Sequence, residues 1–210
     1  MTSHETAING GTMRKFRNDP KLHPLSTPSG KIEIFSENIA SFGYDDCKGH
    51  PSWLGPAEIV TDDAPLFLLA SQPQTRLHSQ LDFGGYSESR KKRGREVVSI
   101  HPVDAKPRDL VDGDIALLSN AHGACLASVN ISEDLRPGVV QLPTGAWYDP
   151  QDPSDERPLC VHGNPNVLTR DIGTSSLAQG SCGQLSVVQV EKFTGNLPPI
   201  RAFDPPNDPA

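Results

Sequence analysis

Three features of the sequence predict a turn-rich, mainly β domain. Twenty prolines and eighteen glycines are scattered between short apolar runs, not gathered into a linker. Those runs are too short for helices and recur about every ten to fifteen residues, the spacing of strands joined by turns. The first strong run, Leu66-Phe67-Leu68-Leu69-Ala70, ends in Ser71-Gln72-Pro73, the pattern of a buried strand that delivers its C-terminal end into a polar loop.

In chain order, residues 1 to about 20 are polar and aperiodic and read as a frayed lead-in. Thr27-Pro28-Ser29-Gly30 is a turn, and the alternation of Ile32 and Ile34 with Lys31, Glu33 and Phe35 predicts a short strand after it. A helical turn from Ser36 to Ala40 and an irregular stretch through Trp53 lead to the main domain, against which Trp53 is expected to pack. After Leu66–Ala70 comes the loop that offers Gln72, Arg76, His78, Ser79 and Gln80 within nine residues. These are hydrogen-bonding groups with a single formal charge, suited to a heteroaromatic or phosphorylated ligand, although a strand followed by a polar loop has no specificity by itself.

Five of the seven residues from Ser89 to Arg95 are basic. They read as a solvated loop, with local attraction for a ligand's phosphates as the alternative. Val97–Ile100 is a strand. His101-Pro102 opens a helix, with proline at an early position where a missing N–H is harmless, and Pro107 should end it. Asp112-Gly113-Asp114 is a turn, residues 115–119 and 124–131 form a hairpin, residues 139–142 a strand, Gly163–Thr169 a polar loop with a helical turn, and residues 184–191 the last strand. The proline-rich remainder reads as tail. The boundaries expected are 1–62 for a lead-in and the remnant of a preceding catalytic domain, 63–194 for the barrel domain, and 195–210 for a flexible tail. No internal repeat is visible.

A net charge of −7 argues against general nucleic-acid binding, which needs a basic face. Cys47, Cys125, Cys160 and Cys182 have neither C-x-x-C pairing nor histidines at zinc-ligand spacing, and all four read as buried free thiols. The chain carries no secretion signal and no run of about 20 apolar residues. As it stands it is expected to be soluble and cytoplasmic, or periplasmic if an upstream part carries a twin-arginine signal.

Six segments, in one order, carry a resemblance: Thr27–Ser36, Arg76–Asp82, His101–Ala105, Arg136–Val140, Gly145–Pro150 and Asn164–Thr169. Together they resemble the C-terminal part of molybdopterin oxidoreductases of the dimethyl sulfoxide reductase family, within it most similar to the biotin sulfoxide, trimethylamine N-oxide and dimethyl sulfoxide reductases. The resemblance spans about residues 14 to 193. It implies a six-stranded double-psi β-barrel that closes over molybdenum chelated by two molybdopterin guanine dinucleotides. It implies cofactor contacts at Gln72, His78, Ser79, Gln80 and Asn166; Gln72 stands where some relatives carry histidine. Arg76 is a candidate for the pyrophosphates, and Pro107 implies a shortened helix.

The same resemblance implies what is missing. The molybdenum-ligating side chain of these enzymes, usually a serine, lies in earlier domains, so no catalytic residue and no metal ligand is assigned here. The chain is expected to be a C-terminal piece or separately encoded subunit of an S- or N-oxide reductase, inactive without the remaining domains. A stand-alone β-barrel module for a pterin, a nucleotide or a protein, and a truncated reading frame without function, stay open as alternatives.

Overall fold

The computed structural model describes residues 11–180 and 185–205. The first ten residues, Cys182, the start expected for the last strand at Gln184 and the end of the tail lie outside them. The chain divides into two compact units, residues 1–55 with 175–178, and residues 56–174 with 179–210.

In the first unit, helix α1 (Gly11–Asn18) occupies part of the expected frayed lead-in and carries Lys15 and Arg17 in its last turn, where cations complement the helix dipole. Helix α2 (Glu37–Ala40) has Ser36 as its N-cap, the hydroxyl accepting from the Ile39 N–H, as the sequence predicts. The strand expected over Lys31–Ser36 does not form. Its apolar positions alternate but have nothing to pair with, and Ile32 and Ile34 are exposed.

The second unit is a closed six-stranded barrel. Strands β1 (Leu66–Leu69), β2 (Val97–Ile100), β3 (Ile115–Ser119), β4 (Ala124–Ile131), β5 (Val139–Gln141) and β6 (Leu185–Lys192) close in the ring order β1-β5-β2-β4-β3-β6. The β1·β5 and β2·β4 pairs are parallel and the other four antiparallel. Ring and strand senses are unchanged when each strand is exchanged with the one three places along the chain. This two-fold arrangement of interlocked parallel crossovers is the double-psi connectivity, present although the sequence shows no repeat.

Side chains alternate across each strand, as barrel closure requires. Leu66, Leu68 and Ala70 are buried while Leu69 faces out, so the apolar run of β1 is buried on one face and not on both. Leu68, Ile100, Leu118, Val129, Val140 and Leu142 meet in the interior at zero exposure, each large aliphatic side chain contributing about 1.5–3 kcal/mol. Cys125 and Cys160 are free and buried, and Cys47 is partly buried. Helix α3 (Gly85–Glu88) lies between β1 and β2. Helix α4 (Pro102–Ala105) is capped by His101, whose Nδ1 accepts from the Val103 N–H, and it passes through a 3-10 turn at Lys106–Arg108 to Asp109 at φ 51°. Pro107 shortens it as expected.

Residues 195–205 correct the expectation of a flexible tail. The N–H groups of Arg201 and Ala202 both donate to Asp149 Oδ2, at 2.6 and 3.0 Å, and buried Arg95 donates to the Pro198 carbonyl at 2.6 Å. The prolines that suggested a tail favour an extended strap, and paired backbone groups hold it in place.

Candidate ligand-binding site

The strand senses bring the C-terminal ends of β1, β3 and β5 and the N-terminal ends of β2, β4 and β6 to one mouth of the barrel. The loops that leave there form a cleft of about 580 Å³. Gln72, His78 and Ser79 enter it from the loop after β1, Thr144 and Gly145 from the loop after β5, and Asn166 from a 3-10 turn. Arg170 and Asp171, of opposite charge, are its charged side chains. Four of the six residues singled out from the sequence thus meet in one cavity although they come from segments nearly a hundred residues apart.

Local bonding explains how each is placed. The β1·β5 pairing continues past the strands, with the Thr144 N–H donating to the Ser71 carbonyl at 2.8 Å and Gln141 Nε2 to Ser71 Oγ at 2.7 Å, so Gln72 and Thr144 lie side by side. Asn164 caps the turn Pro165–Leu168, its Oδ1 accepting from the Asn166 N–H at 2.9 Å. The β3–β4 hairpin holds that turn through Asn120 Nδ2, which donates to the Leu168 carbonyl at 2.8 Å. Asn166 is left exposed on the rim.

His78 and Leu81 have φ of 52° and 58°, the left-handed region that costs a non-glycine residue about 1–2 kcal/mol. A buried charge cluster holds the loop in this form. Arg76 Nη2 donates to Glu96 Oε2 at 2.6 Å and to the Thr144 carbonyl at 3.0 Å. Lys91 Nζ lies 2.8 Å from Asp82 Oδ1 and 3.4 Å from Glu96 Oε2. Arg76 Nε faces Asp82 Oδ1 at 3.2 Å without the alignment of a hydrogen bond. Two cations balance two carboxylates, and mutual pairing is the condition under which charges tolerate burial.

This changes two sequence-based expectations. Arg76 does not line the cleft; its guanidinium, 1% exposed, is occupied by Glu96, Ser87 and a carbonyl, which leaves it no donor directed at a pyrophosphate. The basic run is not a solvated loop throughout: Lys91 and Arg95 are buried, and Lys92 pairs with Asp112 at 2.8 Å. Gln80 is exposed and its N–H closes a turn onto the Leu77 carbonyl; its side chain is not part of the cleft lining. Asp82 and Glu96 are not singled out by the sequence, because which charges a fold buries together is invisible in linear spacing, nor are Thr144, Gly145 and Trp147, whose place beside the His78 loop depends on the β1·β5 pairing.

His162 lies under the cluster at zero exposure, Nδ1 at 2.9 Å from the Trp147 carbonyl, its ring edge-on to Phe203. Burial, and then the nearby Lys91 cation, push its pKa below the ordinary 6.5, against the opposing pull of Asp82 and Asp149. The unfolded chain therefore binds a proton on acidification before the native state does. The stability this contributes is fully present above pH 6.5 and is lost as pH falls from 6.5 toward the lower native value. The urea midpoint should drop more between about pH 7.5 and about pH 5.5 in the wild-type protein than in His162→Gln; equal drops would show that the histidine is not buried neutral.

Fold and cleft define the class: a double-psi barrel whose mouth is lined by amide, hydroxyl and imidazole side chains beside one cation and one carboxylate. A family model described as "Molydopterin dinucleotide binding domain" matches residues 66–184, more than half of the chain, and the chain belongs to that family. It is 47% identical over 200 residues to the trimethylamine-N-oxide reductase of Haemophilus influenzae, covering 93% of this chain and 24% of that protein. It is 45% identical over 194 residues to the dimethyl sulfoxide/trimethylamine N-oxide reductase of Cereibacter sphaeroides, covering 91% and 24%. The chain spans about a quarter of the length of the curated relatives it matches. Among solved structures it is similar to acetylene hydratase from Pelobacter acetylenicus, with a TM-score of 0.61 at 19% identity over 81% of this chain and 24% of that one, a likeness of fold.

Proposed function

We propose that the cleft at the barrel mouth binds the bis(molybdopterin guanine dinucleotide) molybdenum cofactor, and that the chain acts as the C-terminal part of an S- or N-oxide reductase. The observation that supports this most is the convergence of Gln72, His78, Ser79 and Asn166 on one cavity. The donor set fits the ligand. A pterin edge presents amide-like donors and acceptors, which carboxamide, hydroxyl and imidazole groups pair with, leaving no uncompensated charge in a closed site. Arg170 is the cation of the lining, so a phosphate in this cleft would look to it and to loop N–H groups, not to Arg76. Gln80, exposed beside the cleft, would reach the cofactor by a side-chain rotation.

The bound group would supply oxygen-atom transfer between an oxide substrate and molybdenum. This chain's own contribution is to bind and orient: it offers no assigned metal ligand, and among the described residues no cluster of His, Cys, Asp and Glu is disposed to hold a metal ion. The remaining domains of the enzyme, as partners, would supply the ligand and the rest of the cofactor surface, in keeping with relatives about four times as long. The oxide is of the trimethylamine N-oxide or dimethyl sulfoxide kind named for those relatives; a biotin sulfoxide substrate rests on the sequence resemblance alone. Among the described residues no helix is long and apolar enough to cross a membrane.

In the complete enzyme, His78→Ala should remove one hydrogen bond to a buried ligand and lower cofactor retention by about 1–3 kcal/mol, while the denaturant midpoint of the cofactor-free protein stays nearly constant because no core volume is lost. The readout is molybdenum and guanine nucleotide per polypeptide after dialysis. Unchanged content would overturn the assignment.

A further inference from the structure

Trp147 is not part of the cleft lining, yet it bonds to Ser79, which is, and to Asp82, three residues further along the same loop. Its indole N–H donates to the Ser79 carbonyl at 2.9 Å, and its backbone N–H donates to Asp82 Oδ2 at 2.9 Å. The two bonds tie both ends of the segment Ser79–Asp82, which follows left-handed His78 and contains left-handed Leu81. Two residues in sparsely populated backbone conformations persist only where the surroundings over-determine them, and Trp147 is the residue that bonds to both sides of that segment.

The indole is itself seated. Phe203 of the C-terminal strap meets it edge-on at 5.4 Å and Phe83 at 5.6 Å, and the Trp147 carbonyl accepts from His162 Nδ1 at 2.9 Å. The strap is anchored by the paired N–H groups of Arg201 and Ala202 on Asp149. A continuous series of contacts thus runs from the strap through Phe203 and Trp147 to the backbone of Ser79.

We propose that Trp147 is a positioning residue of the cleft, its indole N–H holding the Ser79 carbonyl so that His78 and Ser79 face the ligand, with the C-terminal strap seating that indole through Phe203. The proposal rests on the ligand-binding reading of the cleft. It differs from a packing role in that the N–H, and not the ring, carries the effect.

The test is Trp147→Phe, which keeps an aromatic ring between Phe83 and Phe203 and deletes the N–H; Phe203→Leu is the second variant, which loosens the seat and leaves the indole intact. In the full chain, amide exchange at Gln80, whose N–H bonds to the Leu77 carbonyl, should accelerate about five- to tenfold in Trp147→Phe, with exchange in β1 and β4 unchanged. In the complete enzyme the same variant should lose molybdenum and guanine nucleotide on dialysis, as His78→Ala does. Loop exchange equal to wild type, or acceleration shared by the strands, overturns the positioning role. Retention of cofactor by Trp147→Phe while His78→Ala loses it overturns it as well. Retention by both variants removes the reading of the cleft, and the proposal with it.

Discussion

Gly145→Ala should lower stability by about 2–4 kcal/mol and empty the cleft. A Cβ at this position would sit 1.9 Å from the His78 carbonyl oxygen and 2.6 Å from its carbon, so the loop that presents His78 must lift away. The backbone at φ +90° adds a conformational cost of about 1 kcal/mol, and displacing packed backbone adds about 1–3 kcal/mol. Gly138→Ala separates the two effects, because Gly138 has nearly the same φ, +86°, with no heavy atom within 4 Å of the added carbon. Denaturant midpoints of the two variants check the prediction, together with cofactor content. Equal losses would show that the His78 loop does not depend on its passage over Gly145.

Asp82→Asn should cost about 3–5 kcal/mol, the range for breaking a buried pair from one side. Asp82 is fully buried and faces Lys91 Nζ at 2.8 Å, Arg76 Nε at 3.2 Å and the Trp147 N–H at 2.9 Å. With a neutral amide in its place, Glu96 alone would balance two buried cations. The partly exposed pair Lys92–Asp112 provides the contrast: Asp112→Asn should cost less than about 1 kcal/mol. A cost for Asp82→Asn no larger than for Asp112→Asn would contradict the view that the charge cluster holds the loop.

The strands were legible because burial leaves a local mark. β2, β3, β4 and β5 appear where short apolar runs meet turn residues, and each finds a partner within the ring. The same alternation at Lys31–Ser36 marks no strand, since pairing depends on an edge being available, and sequence periodicity says nothing about that. The two-fold ring order is not readable either; only the family resemblance implies a double-psi barrel. Of the site, Gln72, His78 and Ser79 are legible as polar residues in the loop that follows an apolar run, whereas Asn166 is singled out only by the family resemblance.

What spacing could not supply was the division of labour among charged residues. Arg76 is a candidate for the pyrophosphates because phosphates need N–H groups or cations, and in the fold Glu96, twenty residues away in sequence, pairs with its guanidinium. The run from Arg90 to Arg95 reads as solvated because runs of charge usually are, whereas Asp82 and Glu96 pair with its Lys91 and Asp112 with its Lys92. The strap at 195–205 looked like a tail because its composition is that of a linker. Its order comes from Asp149 and Arg95, which no local pattern connects to it.

The central claim is that the barrel mouth is a pterin site, and the structure of the complete enzyme with its molybdenum cofactor tests it most directly. The account predicts polar ring or phosphate atoms of the cofactor within about 3.2 Å of side-chain atoms of Gln72, His78, Ser79 and Asn166, with Arg76 still bonded to Glu96 and the Ser79 carbonyl still bonded to the Trp147 indole. A cofactor lying away from the mouth, with His78 and Asn166 facing solvent or protein, would contradict it.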